Sequence, residues 1–305
     1  MGIVVFGAVF VDIKGYPLTQ YIPGGRNVGS VVQVHGGVSR NVAEDIGNIG
    51  LRPVFVSVVD HSGTSTDVIN KLKFHGVDTH YIARTDDGLG TWLAVFDNSG
   101  DVTASISKRP DLSEIKKVLE MYGDEIFSAA DAIALEVDLE HSLLKQIYQL
   151  AEKYNKRIFG VVSNMSLAME RRALLQKTDC IVCNQQEAGQ LFSEDYTGKT
   201  PEEMAELIRD RAEKGGFRSL IVTLGSEGAV YAGENEAGWC PPMKTDVIDT
   251  TGAGDAFFAG VAAGLTYSKT LAEACSIGTR LAAAVIATKD NCCPRFNPAE
   301  FDIQI

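Results

Sequence analysis

The chain lacks any apolar stretch approaching the roughly 18 residues of a membrane span, so no segment reads as a transmembrane helix. It also lacks a basic surplus. Its 28 Lys and Arg stand against 40 Asp and Glu, a net charge of -12 over 305 residues. That balance speaks against nucleic acid, whose phosphates need a basic footprint, and against anionic membrane surfaces. The opening Met1 to Val11 is apolar but has no basic start and stops at Asp12, which suits a first strand and not a signal peptide. Phe6 stands where a myristoylation signal would want Ser or Thr. Two familiar phosphate motifs are missing as well. A dinucleotide fingerprint needs a third glycine where Phe257 stands, and Gly198-Lys199-Thr200 is no P-loop because Ser193 occupies the place of its first glycine. There is no zinc pattern. Cys180 and Cys183 have the spacing of half a site, but the other candidate pair, Cys292-Cys293, is adjacent, and residues three apart on a strand point to opposite faces. The six cysteines are expected to be reduced, partly buried thiols of a cytoplasmic protein. No repeat, low-complexity tract or linker divides residues 1–305, so one domain is expected.

What is present is an ordinary globular composition, 45% hydrophobic and 22% charged, able to bury a sizeable core. Its most informative stretch runs from Asp249 to Gly260, Asp-Thr-Thr-Gly-Ala-Gly-Asp-Ala-Phe-Phe-Ala-Gly. Gly252 and Gly254 around Ala253 allow successive backbone N–H groups to line a concave anion site. The apolar helix expected over about 253–265 turns its positive N-terminal end to the same spot. Asp255, in the first turn, puts a carboxylate where an anion would bind. Such a group would repel a phosphate unless it accepts a proton from a hydroxyl attacking the phosphorus.

Ile3 to Phe10 is a near-continuous apolar run, expected to be one buried strand with Asp12 at its C-terminal end, where open α/β sheets place ligand groups. On the residues alone, Asp12 is equally a turn residue and an acceptor of substrate hydroxyls. Residues 14–35, broken by Pro17, Pro23, Gly24, Gly25 and Gly29, and residues 90–106, with a turn at Asn98-Ser99-Gly100, suggest strand pairs of a small sheet standing off the main one. Gly36-Gly37 opens a helix carrying Arg40 and Asn41, whose amide can both donate to and accept from hydroxyls. From residue 53 strands and helices alternate. Strands are expected near 53–58, 79–84, 131–135, 157–162, 179–183 and 218–224. Helices are expected near 66–75, 112–122, 140–154, 166–176, 186–192, 201–214 and 270–287. This is the pattern of βαβ units around a mostly parallel sheet. Glu136 closes one strand, either as its exit into water or as a site residue. Asn184 and Glu187 lie three apart at a helix start, either a plain cap or a pair able to hold water around a hard cation.

Asp249-Thr250-Thr251-Gly252-Ala253-Gly254-Asp255-Ala256-Phe257 resembles the C-terminal signature of the ribokinase-like (PfkB) carbohydrate kinases. The double glycine followed after three residues by Asn41 resembles their N-terminal signature, and Asn184-x-x-Glu187 resembles a family motif linked to magnesium and phosphate. The resemblance implies a three-layer α/β/α fold with a β lid, and transfer of the γ-phosphoryl of ATP to a primary hydroxyl of a sugar or nucleoside. It implies Asp255 as base, Gly252, Ala253 and Gly254 as an anion hole, and Asp12, Gly36, Gly37, Asn41 and Glu136 as substrate contacts. Asn184, Thr223 and Gly225 become nucleotide contacts. Asn184 and Glu187 would hold Mg2+ through water, and Asp249 and Thr251 are candidates for a monovalent cation such as K+. A homodimer through the lid is implied too. Within the family the chain looks most like pseudouridine kinases, at Asp12-Ile13-Lys14-Gly15, at Gly-Gly-Val-x-Arg-Asn over 36–41, and from Gly238-Trp239 to the Asp249 signature. It departs from them at Asn27-Val28-Gly29, where Asn-Pro-Gly is usual, and at Lys108-Arg109-Pro110; the usual Gly-Ala is also missing from the turn Asp290-Asn291-Cys292-Cys293-Pro294. A simple fructokinase- or ribokinase-type sugar kinase is the alternative acceptor reading. A non-catalytic sensor on the same scaffold is a third, against which the retained Asp255 argues.

Overall fold

The computed structural model describes residues 2–304. Among them, strands β1 (Ile3–Phe6), β4 (Val54–Val59), β5 (Ile82–Arg84), β8 (Ala132–Glu136), β9 (Ile158–Val161), β10 (Cys180–Asn184), β11 (Ser219–Thr223), β12 (Ala229–Gly233) and β13 (Ala237–Cys240) form one sheet. Its order is β13-β12-β11-β10-β9-β8-β1-β4-β5, parallel except where β12 pairs antiparallel with β11 and β13. Each strand of the parallel centre is a short apolar run, because both its faces are covered. Val4, Ile133, Ile181 and Val222 point to one face, and Val5, Ala134, Val182 and Ile221 to the other.

Helices α1 (Val38–Asn48), α2 (Gly63–Phe74), α9 (Ala253–Thr266) and α10 (Leu271–Ile286) cover one face with Ile46, Leu72, Phe258 and Leu281. The other face is covered by α3 (Ser113–Ala129), α4 (His141–Lys153), α5 (Met165–Met169), α6 (Arg172–Leu175), α7 (Gln185–Phe192) and α8 (Pro201–Gly215). The three-layer α/β/α arrangement is therefore present. Cys180 packs into the first layer and Cys183 into the second, as strand alternation requires.

A separate four-stranded sheet, order β3-β2-β6-β7, is made by β2 (Phe10–Pro17), β3 (Gly29–Gly36), β6 (Gly90–Phe96) and β7 (Val102–Lys108). It corresponds to the small sheet expected from residues 14–35 and 90–106, but it starts earlier. The apolar run expected as one strand to Phe10 breaks at Gly7. A Cβ there would come within 1.9 Å of Ser39 Oγ and 2.7 Å of Glu136 Oε1, so the chain leaves the large sheet at its glycine and re-forms as lid strand β2. Ala8 and Val9 stay buried at this crossing, which is why the run looks continuous. Asp12 consequently sits inside a lid strand, opposite Val34 and Trp92, and not at the end of β1.

Two helices also differ from expectation. α3 runs on through Gly123 to Ala129, the glycine being where Leu150 of α4 packs closest. The segment expected as one helix over 166–176 is two short ones separated at Glu170 and Arg171.

Candidate active site

The carboxyl end of β8 faces a cavity shared with the lid, and the start of α9 lies beside the carboxyl end of β11. Gly252 caps α9 in the left-handed region, φ 84°, and a Cβ on it would lie 2.1 Å from the Asn291 carbonyl oxygen. Only glycine meets both demands. The N–H groups of Gly252 and Gly254 donate to no backbone carbonyl of the described chain, whereas that of Ala253 reaches Thr250 O at 3.3 Å. Of the three amides expected to line an anion hole, two are therefore free and one is engaged in a long turn bond. The helix dipole adds to them.

Asp255 follows in the first turn, partly buried. Its Oδ2 accepts a hydrogen bond from Asn41 Nδ2 at 2.6 Å across 214 residues of sequence. Burial pushes its carboxyl up to about 6, against the lowering pull of the Asn41 bond and the Arg40 charge, while neighbouring Asp12 raises it further. Asp12 is itself raised by burial, with Lys14 and Arg40 opposing. The structure thus brings Asp12, Asn41 and Asp255 to one place.

Asn41 is held in register from behind. Arg40, fully buried, donates through Nη2 to Asn41 Oδ1 and to the His35 carbonyl, through Nε to Gly36 O at 3.4 Å, and through Nη1 to Glu44 Oε2 at 2.6 Å. Asn291 Nδ2 donates to His35 O at 2.7 Å and to Asn41 Oδ1 at 3.3 Å. With its oxygen so engaged, the Asn41 amide must present its NH2 to Asp255. Arg40 points into the fold and not into the cleft, so it braces the acceptor residues from below. The close approach that Gly36 and Gly37 permit is to the chain itself. A Cβ on Gly36 would lie 2.7 Å from the Asp12 carboxylate, and one on Gly37, at φ 99°, 2.7 Å from Ala8 O.

Glu136, buried at the end of β8, accepts from Ser39 Oγ at 2.7 Å and Ser39 N at 3.2 Å on the helix that carries Asn41. Burial, with the Asp138 charge, pushes it up to about 7 despite those two bonds. It lines a cavity of about 530 Å³ that also takes in Phe10, Asp138 and Ser163. Sequence reasoning missed Ser39, Asp138, Ser163 and Asn291. The one available signal was Asp138, two residues beyond Glu136 in the same turn.

On the other side of the α9 turn a cavity of about 370 Å³ is lined by Thr223, Gly225, Ala253, Gly254, Phe257 and Ala283 among others, which puts the expected nucleotide contacts Thr223 and Gly225 with the glycine turn. Gly225, at φ 59°, opens a short 3-10 turn after β11. Asn184 sits in register beside Thr223 but lines neither cavity. Its Oδ1 accepts from Glu187 N at 2.8 Å, and Glu187 Oε2 accepts from Asn184 N at 2.8 Å, a complete capping box. Asp249 Oδ1 likewise accepts from Thr251 N at 2.8 Å in a local turn. Among the described residues no group of three or more His, Cys, Asp or Glu could hold a metal ion. Mg2+ keeps most of its waters and favours one or two carboxylates plus phosphate oxygens, so the single Glu187 carboxylate fits it as a partner for bound water and not as a cage.

A family described as pfkB family carbohydrate kinase matches residues 2–294. The chain is 35% identical over 292 residues to a guanosine-inosine kinase from Exiguobacterium acetylicum, covering 95% of each chain. It is 24% identical to a pseudouridine kinase from Escherichia coli, covering 90% of this chain and 88% of that one. Among solved structures, an Arabidopsis thaliana ribokinase complexed with ribose and ATP superposes with a TM-score of 0.83 at 19% identity, covering 98% of this chain and 97% of that one.

Proposed function

The chain belongs to the pfkB family of carbohydrate kinases and is an ATP-dependent kinase of a sugar or nucleoside, from which we propose that its acceptor is a nucleoside, phosphorylated at its primary hydroxyl. The observation that carries this reading is the cavity of about 530 Å³ that Glu136 shares with Asp138 and with Phe10 of the lid. A sugar alone would leave that space unfilled. The guanosine-inosine kinase, more similar than the pseudouridine kinase, supports the same class and widens it beyond pseudouridine. A ribokinase-type sugar kinase is the second reading, favoured by the likeness in fold to the ribose-bound ribokinase.

In this proposal the ribose hydroxyls bind Asp12, Asn41 and Glu136, with Gly36 and Gly37 keeping the backbone clear of the Asp12 carboxylate and of Ala8. Asp255 takes the proton of the attacking hydroxyl. The Gly252 and Gly254 amides, and Ala253 once its long turn bond yields, hold charge on the transferring group. Thr223 and Gly225 contact the nucleotide in the apolar cavity beside Phe257. Asn184 and Glu187 would hold Mg2+ through water, and the ion would supply charge neutralisation across the phosphates. Asp249 and Thr251 are the place for a monovalent cation.

The lid presents Ile13, Leu93 and Ile106 in one cross-strand row beside Val31, on the face opposite Asp12. Leu93, Ile106 and Val31 are exposed, and such a row is self-complementary about a two-fold axis, so a second copy of this chain covers it. A cytoplasmic location accords with six free, buried thiols.

A coupled ADP-release assay over inosine, guanosine, pseudouridine, ribose and fructose tests the acceptor. The expected result is a kcat/KM for at least one nucleoside more than tenfold above either sugar. More efficient turnover of ribose or fructose would overturn it.

A further inference from the structure

The cavity beside Glu136 carries charges of both signs. Arg109, Arg171 and Lys116 face it together with Asp111, Glu136, Asp138 and Glu140, and Lys116 is already paired with Glu140 at 2.7 Å. A cavity so balanced does not select an anion; it suits a neutral ligand offering both donors and acceptors.

Its polar groups are only partly satisfied by the fold. Asp138 is 5% exposed; Ser163 Oγ lies 3.0 and 2.9 Å from its two oxygens, and Ser163 N donates to Oδ1 at a long 3.4 Å. A hydroxyl has one proton, so it serves one of those oxygens at a time. Arg109 Nη2 stands 3.8 Å from Asp138 Oδ2, an ion-pair distance but too long for a hydrogen bond. Arg171 lines the same cavity, and among the described residues its Nη1 has no hydrogen-bond partner, so the fold does not tie the guanidinium down. The cavity therefore presents a carboxylate acceptor with lone pairs to spare and guanidinium donors seeking a carbonyl. Phe10 supplies an apolar wall, and Gly90 makes room for it, since a Cβ there would lie 2.7 Å from the ring.

From this juxtaposition we infer that the cavity reads the lactam edge of a nucleobase, Asp138 accepting from the ring N–H while Arg109 and Arg171 donate to the adjacent carbonyl. The inference rests on the nucleoside-kinase reading and deepens it. Guanine, hypoxanthine and uracil all carry a ring N–H beside a C=O. Adenine and cytosine carry the inverse, a bare ring nitrogen beside an amine, which would set a lone pair against the carboxylate and an N–H against the guanidinium. A site whose buried polar groups are left unpaired rejects a substrate far more strongly than one lacking only a methylene contact. Specificity here is thus for an edge shared by a 6-oxopurine and a 4-oxopyrimidine.

The test compares kcat/KM for inosine, guanosine and pseudouridine with adenosine and cytidine, in the wild type and in Asp138→Asn. The wild type should prefer inosine over adenosine by about 100-fold or more. Asp138→Asn, whose amide can offer an NH2 to a bare ring nitrogen, should shrink that ratio at least tenfold by losing inosine turnover and gaining adenosine turnover. A thermal melt checks that the variant is folded. Arg171→Met, which leaves the Asp138 carboxylate in place, should raise KM for inosine with little change in KM for ATP. Equal use of inosine and adenosine by the wild type, or an unchanged ratio in folded Asp138→Asn, would overturn this inference alone. Turnover of ribose with no nucleoside used would overturn it together with the nucleoside reading.

Discussion

Asp255 is poised by opposing neighbours. Burial and the Asp12 charge hold its proton more tightly, Asn41 and Arg40 loosen it, and the balance leaves a carboxyl that titrates near 6. A base must be ionised to act, so kcat/KM should be level above that value and fall about tenfold per pH unit below it, as an initial-rate pH profile would show. A level profile down to pH 5 would remove the base from the mechanism. Glu136 makes the reverse signature in stability. Its folded value, about 7, lies above the ordinary 4.5, so the stabilisation from holding its proton is complete below about 4.5 and gone once pH has risen through about 7. Glu136→Gln, neutral and of the same shape, should raise Tm relative to wild type more at pH 8 than at pH 5, and an equal difference at both would contradict the assignment. Asp255 was legible in the chain because the motif that presents it is local, two glycines before it and a helix after, although the partners that tune it are remote. Arg40 was visible in the motif but its role was not, since its partners His35 O, Asn41 and Glu44 turn it inward. Asn291 could not be read at all, because it earns its place from contacts 250 and 256 residues away.

The two helices that build the cleft, α1 and α9, both begin at a glycine with positive φ and no side-chain cap; in α1 the Ser39 N–H goes to Glu136, and in α9 the Gly254 N–H is left to the site. This makes the glycines unequal. Gly252→Ala meets a left-handed backbone worth about 1–2 kcal/mol and the Asn291 carbonyl at 2.1 Å, so chemical denaturation should show a loss of about 2 kcal/mol or more, with turnover falling as well. Gly254→Ala finds nothing within 4 Å and should leave stability within about 0.5 kcal/mol. If both variants lose the same stability, the turn is not what fixes the start of α9. Helix starts carrying a local cap were readable, as for the helix expected near 201–214, where Thr200 and Glu203 form a capping box with Pro201 at the first helical position. The end of α3 was not, because Gly123 looks like a stop until Leu150 is seen against it. The break after Phe6 was hidden for a similar reason: it is forced by Ser39 and Glu136, both remote in sequence.

The molecule divides its work between a three-layer body that fixes the reacting groups and a lid sheet that brings Asp12 and Phe10 over them. The alternation of strands and helices made the body legible, and two isolated strand pairs made the lid legible. The meeting of body and lid, where the cavity beside Glu136 forms, depends on packing that no local pattern encodes. The apolar outer row of the lid should vanish as a contact surface when Leu93→Lys and Ile106→Lys are combined. Sedimentation should then show a monomer where the unaltered chain gives a dimer, and two species of equal mass would place any self-association elsewhere.

The role of Asp255 is tested most directly by single-turnover phosphoryl transfer with Asp255→Asn, alongside calorimetric binding of ATP and of whichever nucleoside the acceptor screen identifies. The expected outcome is a transfer rate lower by about 10²–10⁴-fold with both ligands still bound, toward the lower end because a loose transition state asks little of a base. Transfer within a few-fold of wild type, with Asp255→Asn folded and binding both ligands, would contradict the account.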